Sequence, residues 1–264
     1  MDIQYTYFTP STTDASSGIS QIGDATYEDT VVHGLILNKT FKSLSFKNNF
    51  QAFYTTAIDT TARTGMDDAA TPTINEGTSN LGDMTISGAM VEALKVNGNI
   101  DLFAHYAMNT AKPNGQTVNV AANGSATPNV SMGMLGTTPG TNKTISTEEK
   151  TGNAIWVGAR YHINRAWKVG AEYNKGSENW FSYTTGSNDP VNKLAVRGTA
   201  TELYVTKSIN KYAGLRLGYI QLDLDYTNSG MLIGTPMDID SAGAKAGGAI
   251  KKSSNTYISF NLLF

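Results

Sequence analysis

The feature that most constrains this chain is the strict alternation of its connections. Ten segments of alternating polarity fall near 2–9, 28–41, 44–57, 84–96, 100–109, 153–164, 166–177, 195–209, 212–226 and 254–264. Long stretches rich in Gly, Thr, Asn and Ser join them at 10–27, 58–83, 110–152, 178–194 and 227–253. Between these stretches come tight turns at Thr40–Ser43, Asn97–Asn99, Asn164–Arg165 and Asn210–Lys211. Period two is the strand period. Long, short, long, short from first to last leaves one simple topology, an antiparallel up-and-down sheet with its short turns at one end and its long connections at the other. A β-sandwich has no reason to sort its connections this way.

A soluble up-and-down barrel and a transmembrane one both satisfy that topology, and composition favours the second. Charged residues make up 16% of the 264 residues, against about 25% in ordinary soluble domains. Hydrophobic residues reach only 40%, so Gly (26), Tyr (13) and neutral polar residues fill the gap. This mixture suits strands with lipid on one face and water on the other. A strand tilted about 45° crosses the bilayer in roughly 9–11 residues, which the segments match. Bacterial barrels carry short periplasmic turns and longer extracellular loops, so both termini are expected in the periplasm. There is no apolar run long enough for a transmembrane helix. The net charge of −2 without a basic block gives no footprint for nucleic acid. Cysteine is absent, which excludes disulfides and thiolate chemistry and is compatible with passage through an oxidising periplasm. No signal peptide precedes Met1, and the chain opens almost directly in a strand, so a truncated start or an expression start is expected.

Alternation assigns the faces. Ile155, Val157, Ala159, Tyr161 and Ile163 oppose Ala154, Trp156, Gly158, Arg160 and His162. Trp167, Val169, Ala171 and Tyr173 oppose Lys168, Gly170, Glu172 and Asn174. Leu44, Phe46, Phe50, Ala52 and Tyr54 oppose Ser45, Lys47, Asn49, Gln51 and Thr55. An unpaired charge in hydrocarbon costs several kcal/mol, so the polar set is read as the lumen. Segment 212–226 switches parity after Tyr219, which predicts a β-bulge there, or a strand rising above the membrane. Segment 84–96 also fits a helix, and the alternating connections make it a strand.

The chain ends with Thr256, Ile258, Phe260, Leu262 and Phe264 on one face of the last segment. This pattern resembles the C-terminal signal that the barrel-assembly machinery reads in bacterial outer-membrane proteins. Such a strand must bury alternate side chains in lipid and close the sheet against the first strand. The stretch Ala154–Ser177 is similar to porin-type barrels of Gram-negative bacteria, with Gly158-Ala159-Arg160-Tyr161 and Gly170-Ala171-Glu172-Tyr173 around the turn His162–Ala166. The last 110 residues resemble an uncharacterised family of proteobacterial outer-membrane proteins, in which a longer N-terminal part precedes the barrel. The resemblance implies an integral outer-membrane location, the fold and a larger parent barrel, and it implies no substrate.

Lumen-facing charges that could set ion selectivity are Lys47, Arg160, Lys168, Glu172, Glu202 and Arg216. Arg160 and Glu172 lie at similar depth on adjacent strands and are expected to pair. Gly158, Gly170 and Gly218 are expected to leave the lumen open at mid-height. Tyr161 and Trp167 on the periplasmic side, with Tyr54 and Tyr173 on the outer side, are read as interfacial girdles. A sugar-binding stripe would need those rings inside, where only Trp156 points.

Catalysis finds little support, because His33, His105 and His162 lie in different strands. An outer-membrane protease would need rim acids and a histidine, and Asp67-Asp68 is the nearest approach. Asp223, Asp225, Asp238 and Asp240 match no calcium spacing. Loops 110–152 and 227–253 have the composition of mobile surface loops, and either is a candidate constriction or partner site.

The reading is a single transmembrane antiparallel β-barrel of about ten strands. It is a porin-like channel for passive diffusion of ions or small polar solutes, needing no cofactor or metal. The alternative is a non-conducting barrel that presents loops for adhesion or anchors the envelope. Interiors of about eight strands are just filled by side chains, whereas aqueous channels belong to about 16–18 strands. Large inward side chains at mid-height would favour a plugged form.

Overall fold

A computed structural model describes residues 1–8, 31–43, 46–63, 78–113, 117–118, 143–144, 148–182, 191–229 and 236–262. Ten strands form one antiparallel sheet: β1 (Asp2–Phe8), β2 (Val31–Ser43), β3 (Phe46–Arg63), β4 (Thr78–Val96), β5 (Ile100–Pro113), β8 (Lys150–His162), β9 (Trp167–Gly176), β10 (Gly198–Ser208), β11 (Ala213–Leu224) and β12 (Lys252–Leu262). Each pairs with its neighbour in sequence. The two-residue strands β6 (Thr117–Val118) and β7 (Lys143–Thr144) pair only with each other. Deleting residues 115–145 therefore removes none of the ten wall strands. The shortened protein is expected to assemble as before, read by its resistance to urea extraction from membranes, and loss of assembly would show that this connection carries part of the core.

Local chemistry explains the turns. Asn97 and Gly98 take φ of +48° and +86°, the left-handed pair that an Asn-Gly hairpin turn supplies. Asn164 Oδ1 accepts from the amides of Ala166 (2.8 Å) and Trp167 (2.9 Å). Asn210 Oδ1 does the same for Tyr212 (2.7 Å) and Ala213 (2.8 Å). Both are Asx turns, in which the side chain mimics a backbone turn.

Three expectations need correction. The turn foreseen at Thr40–Ser43 is strand, because β2 runs on until Ser43 faces Phe46. No bulge occurs at Tyr219, where β11 stays in continuous register with β10 and β12. Ile220 and Leu222 simply face inward and join Val196 and Ala200 in a buried cluster. The parity switch marks apolar residues on the inner face where the chain itself covers it. The sheet is also not a closed barrel: β1 and β12 are its two edges. It curls nonetheless, since residues of β4 and β12 line one cavity on the inner face.

The outer face is apolar all the way round. It exposes Tyr5, Leu35, Tyr54, Val91 and Tyr106 on the first five strands. It continues with Ile155, Tyr173, Leu203, Leu217 and Phe260 on the other five. Ile258 (72% exposed) and Leu262 (50%) share the face of Phe260, while Phe264 lies outside the described residues. Burial is concentrated instead on the inner face, toward the long connections, where Ala107, Ala154 and Trp180 form a second cluster.

The connection after β11 is structured where described. Tyr226 bridges to Asp238, and Ser241 caps a short helix, α1 (Ala242–Ala246), whose Ala244 is buried.

Candidate functional site

Of the connection between β9 and β10, residues 177–182 and 191–197 lie against the inner face, and small residues on the wall make this possible. A Cβ on Gly152 would lie 2.2 Å from the Asn179 carbonyl, and one on Gly176 would lie 2.1 Å from that of Val196. With glycine at both places the backbone lies directly on the wall. Two wall asparagines then pin it. Asn109 donates to Asn179 O (3.0 Å) and accepts from Phe181 N (3.2 Å). Asn174 donates to Lys193 O (2.9 Å). Trp180 Nε1 closes the segment on itself by donating to Leu194 O (2.9 Å).

Arg197, fully buried, joins this segment to the next connection. Its Nε donates to Trp180 O (2.9 Å), and its Nη1 to Thr227 O (3.3 Å) and Asn228 O (3.0 Å).

The inserted segment delivers Lys193 to the centre of the inner face. In the register of β9 with β10, Glu172 stands directly opposite Glu202. Like charges so placed repel, and both are almost wholly buried, at 7% and 1% exposed. Two cations bridge them. Lys193 Nζ meets Glu172 Oε2 at 2.6 Å and also contacts Glu202 Oε2. Arg216 Nη2 lies 2.5 Å from Glu202 Oε1 and 3.4 Å from Glu172 Oε1. Two carboxylates and two cations make the quartet neutral. Tyr257 donates to Glu202 (2.5 Å) and Trp156 Nε1 to Glu172 (3.1 Å). The Tyr204 ring lies 3.5 Å from the Arg216 guanidinium, a cation–π contact.

A second ion cluster lies nearer the short turns. Asp101 accepts from Arg160 Nε (3.1 Å) and pairs with His162 Nε2 (2.7 Å), and Arg160 reaches Glu92 at 3.9 Å. The expected Arg160–Glu172 pair therefore does not form. In the true register Arg160 faces Gly170 and Glu172 faces Gly158, so the two charges are offset by two residues. Lys168 lies opposite His162 on the inward parity of β9. Lys47 is exposed at the turn end of β3, opposite Lys42.

The mid-height glycines do not leave space. Gly158, Gly170 and Gly218 are each covered by the ring of a direct cross-strand partner, Phe103, Tyr204 and Tyr257 respectively. A Cβ on Gly170 would stand 2.3 Å from the Tyr204 ring. Overpacking of this kind costs about 1–3 kcal/mol. Gly170→Val is expected to lower the urea midpoint of unfolding accordingly, and an unchanged midpoint would mean that the ring is free to leave.

Two cavities lie on the inner face, and the quartet lines the second of them. One of about 560 Å³ lies toward the long connections, among Phe53, Ile86, Ala107, Ala154 and Trp180. The other, about 440 Å³, lies toward the short turns among Glu92, Arg160, Arg216, Ser259 and Asn261. Trp156 and Leu194 border both.

Of the other foreseen positions, Tyr161 and Trp167 flank the turn after β8 on the outer face, and Tyr173 shares that face. Tyr54 sits at mid-length of β3, also outward. The histidines do not converge: His33 meets Tyr5 Oη (2.8 Å), His105 lies between Phe53 and Trp156, and His162 pairs with Asp101. Asp223 pairs with Lys252 (3.3 Å) and Asp240 with Lys251 (2.5 Å), which holds the Asp240 carboxyl below the usual range. Among the described residues no group of acids and histidines is arranged to hold a metal. Asp67-Asp68 lies outside the described residues.

The family model described as "Protein of unknown function (DUF3373)" matches residues 8–264. The chain belongs to this family. No curated protein matches the sequence. The site of this DUF3373 chain therefore has to be read from its own geometry. Sequence reasoning found Glu172, Glu202 and Arg216 by their inward parity and missed Lys193, Asp101 and Arg197. Asp101 carries the inward parity of its segment, which was an available signal. Lys193 lies in a connection where no periodicity points to a face, and Arg197, inside the expected segment 195–209, has the parity opposite to that of Glu202.

Proposed function

We propose that this chain forms the wall of an outer-membrane β-barrel with a gated pathway for ions or small polar solutes. The outward apolar residues on all ten strands support the membrane reading, because a soluble protein rarely exposes contiguous apolar patches above a few hundred Å². Hydrocarbon tolerates no open sheet edge, so in the membrane β1 and β12 pair with each other or with further strands. The pathway is gated rather than permanently open. The observation that carries this is Lys193, which an inserted segment places between two facing carboxylates in the wall of one cavity, while its neighbour Leu194 borders a second as well. Release of that segment removes Lys193, Leu194 and Trp180 from the interior and joins the two cavities.

The rings of Phe103, Tyr204 and Tyr257 favour a second reading, a permanently filled barrel that presents its long connections at the surface or anchors the envelope. Planar-bilayer recordings of refolded protein separate the two. The gated reading expects near-silence from the native protein and steady conductance from Lys193→Met. Steady conductance of the native protein overturns the gate, and silence of both folded proteins favours the filled barrel.

A further inference from the structure

The cavity on the long-connection side differs in chemistry from the rest of the interior. Its wall is Phe53, Ile86, Ala107, Ala154, Trp156 and Trp180. Among the described residues no Asp, Glu, Lys or Arg borders it. The polar groups nearby are largely engaged elsewhere. The Trp156 indole donates to Glu172, the Trp180 indole to Leu194 O and the Asn174 amide to Lys193 O. His105 stands between two rings, 6.0 Å from Phe53 and 6.4 Å edge-on from Trp156. With the segment in place, a hydrated ion in this cavity would lose its water without gaining a counter-charge. Pockets lined mainly by apolar and aromatic side chains favour apolar guests. At about 560 Å³ this one falls within the usual range of small-molecule sites.

We infer that this cavity binds a neutral, mainly apolar small molecule carrying an aromatic ring. The rings of Phe53, Trp156 and Trp180 supply the contact surface, and offset or edge-on stacking among them selects an aromatic guest over an aliphatic one. Thr55 also borders the cavity, and a hydroxyl there suits one polar substituent on the guest. Trp180 and Leu194 belong to the inserted segment that carries Lys193, so an occupant of the cavity touches the gate directly. The inference extends the gated reading by naming a ligand class, and its test does not depend on conduction.

The chain has three tryptophans. Two border the cavity and the third, Trp167, is exposed on the outer face. In full-length Trp167→Phe protein, folded in detergent, all tryptophan emission comes from the cavity wall. Bromobenzene, a neutral aromatic heavy-atom quencher, is expected to quench that emission along a saturating curve. Filling the cavity by Ala107→Leu should weaken the apparent affinity at least about tenfold. Ile86→Phe fills it from another strand and gives the same reading should the first variant fail to fold. Quenching that rises linearly without saturation, and equally in the filled variants, means partition into detergent and overturns the inference. Saturable binding with silent Lys193→Met recordings would instead retain the ligand site and discard the gate. Conduction by Lys193→Met without saturable quenching would do the reverse.

Discussion

Replacing Lys193 with Met is expected to convert a near-silent protein into a conducting one. The native quartet is neutral, with Glu172 and Glu202 facing each other across adjacent strands and Lys193 and Arg216 between them. Methionine keeps the bulk and removes one positive charge, which leaves two buried carboxylates sharing Arg216. Breaking a buried pair from one side costs about 3–5 kcal/mol. The strands cannot relieve that cost, because ladder hydrogen bonds on both sides hold β9 and β10. The inserted segment can, since it lies outside the ladder and is held to the wall by side-chain contacts, among them those of Asn109, Asn174, Trp180 and Arg197. A penalty of that size shifts a closed-to-released ratio by roughly 10²–10⁴. Lys193→Arg should stay closed. The double variant Lys193→Met/Glu172→Gln restores neutrality and should recover most of the silence. A Lys193→Met protein as silent as the native one, in recordings where the protein is demonstrably folded and inserted, would sink the gate.

Phe260→Asp is expected to abolish membrane assembly, whereas Asn261→Asp, one residue further on, is expected to be tolerated. Phe260 projects outward from the edge strand β12, opposite Leu215 of β11, and is 56% exposed. Burying a phenylalanine in lipid contributes about 1.5–3 kcal/mol, and a charge on the lipid face costs up to about 2–4 kcal/mol, less for Asp than for Arg or Lys. The combined loss is a large share of a total stability of about 5–15 kcal/mol. It falls on an edge strand that must find its partner in the bilayer. Asn261 borders the polar inner cavity, where a carboxylate has Arg160 and Arg216 for company. The fraction of each variant that survives urea extraction measures the contrast, and equal behaviour of the two would show that the faces of β12 are misassigned.

The sequence alone determined the ten wall strands, their order, the sorting of short turns from long connections, and the inward or outward parity on strands such as β8 and β9. These are local properties. A strand shows itself through period-two patterning, and a turn through residues such as Asn97-Gly98 and Asn164 that solve their own backbone geometry. The tertiary structure alone decided what meets across the interior. Parity says that Arg160 and Glu172 both face inward, but the register sets them two residues apart and gives Arg160 to Asp101 and Glu92. An inward glycine reads as empty space until the neighbouring strand lays a ring over it, as Tyr204 does over Gly170. Lys193 sits in a connection without periodicity, so nothing local assigns it a face. It becomes the centre of the site because Gly152 and Gly176 let backbone lie against the wall and because Asn109 and Asn174 hold it there. Pairing energies between distant segments are not written in any one segment, and the site of this protein is made of such pairings.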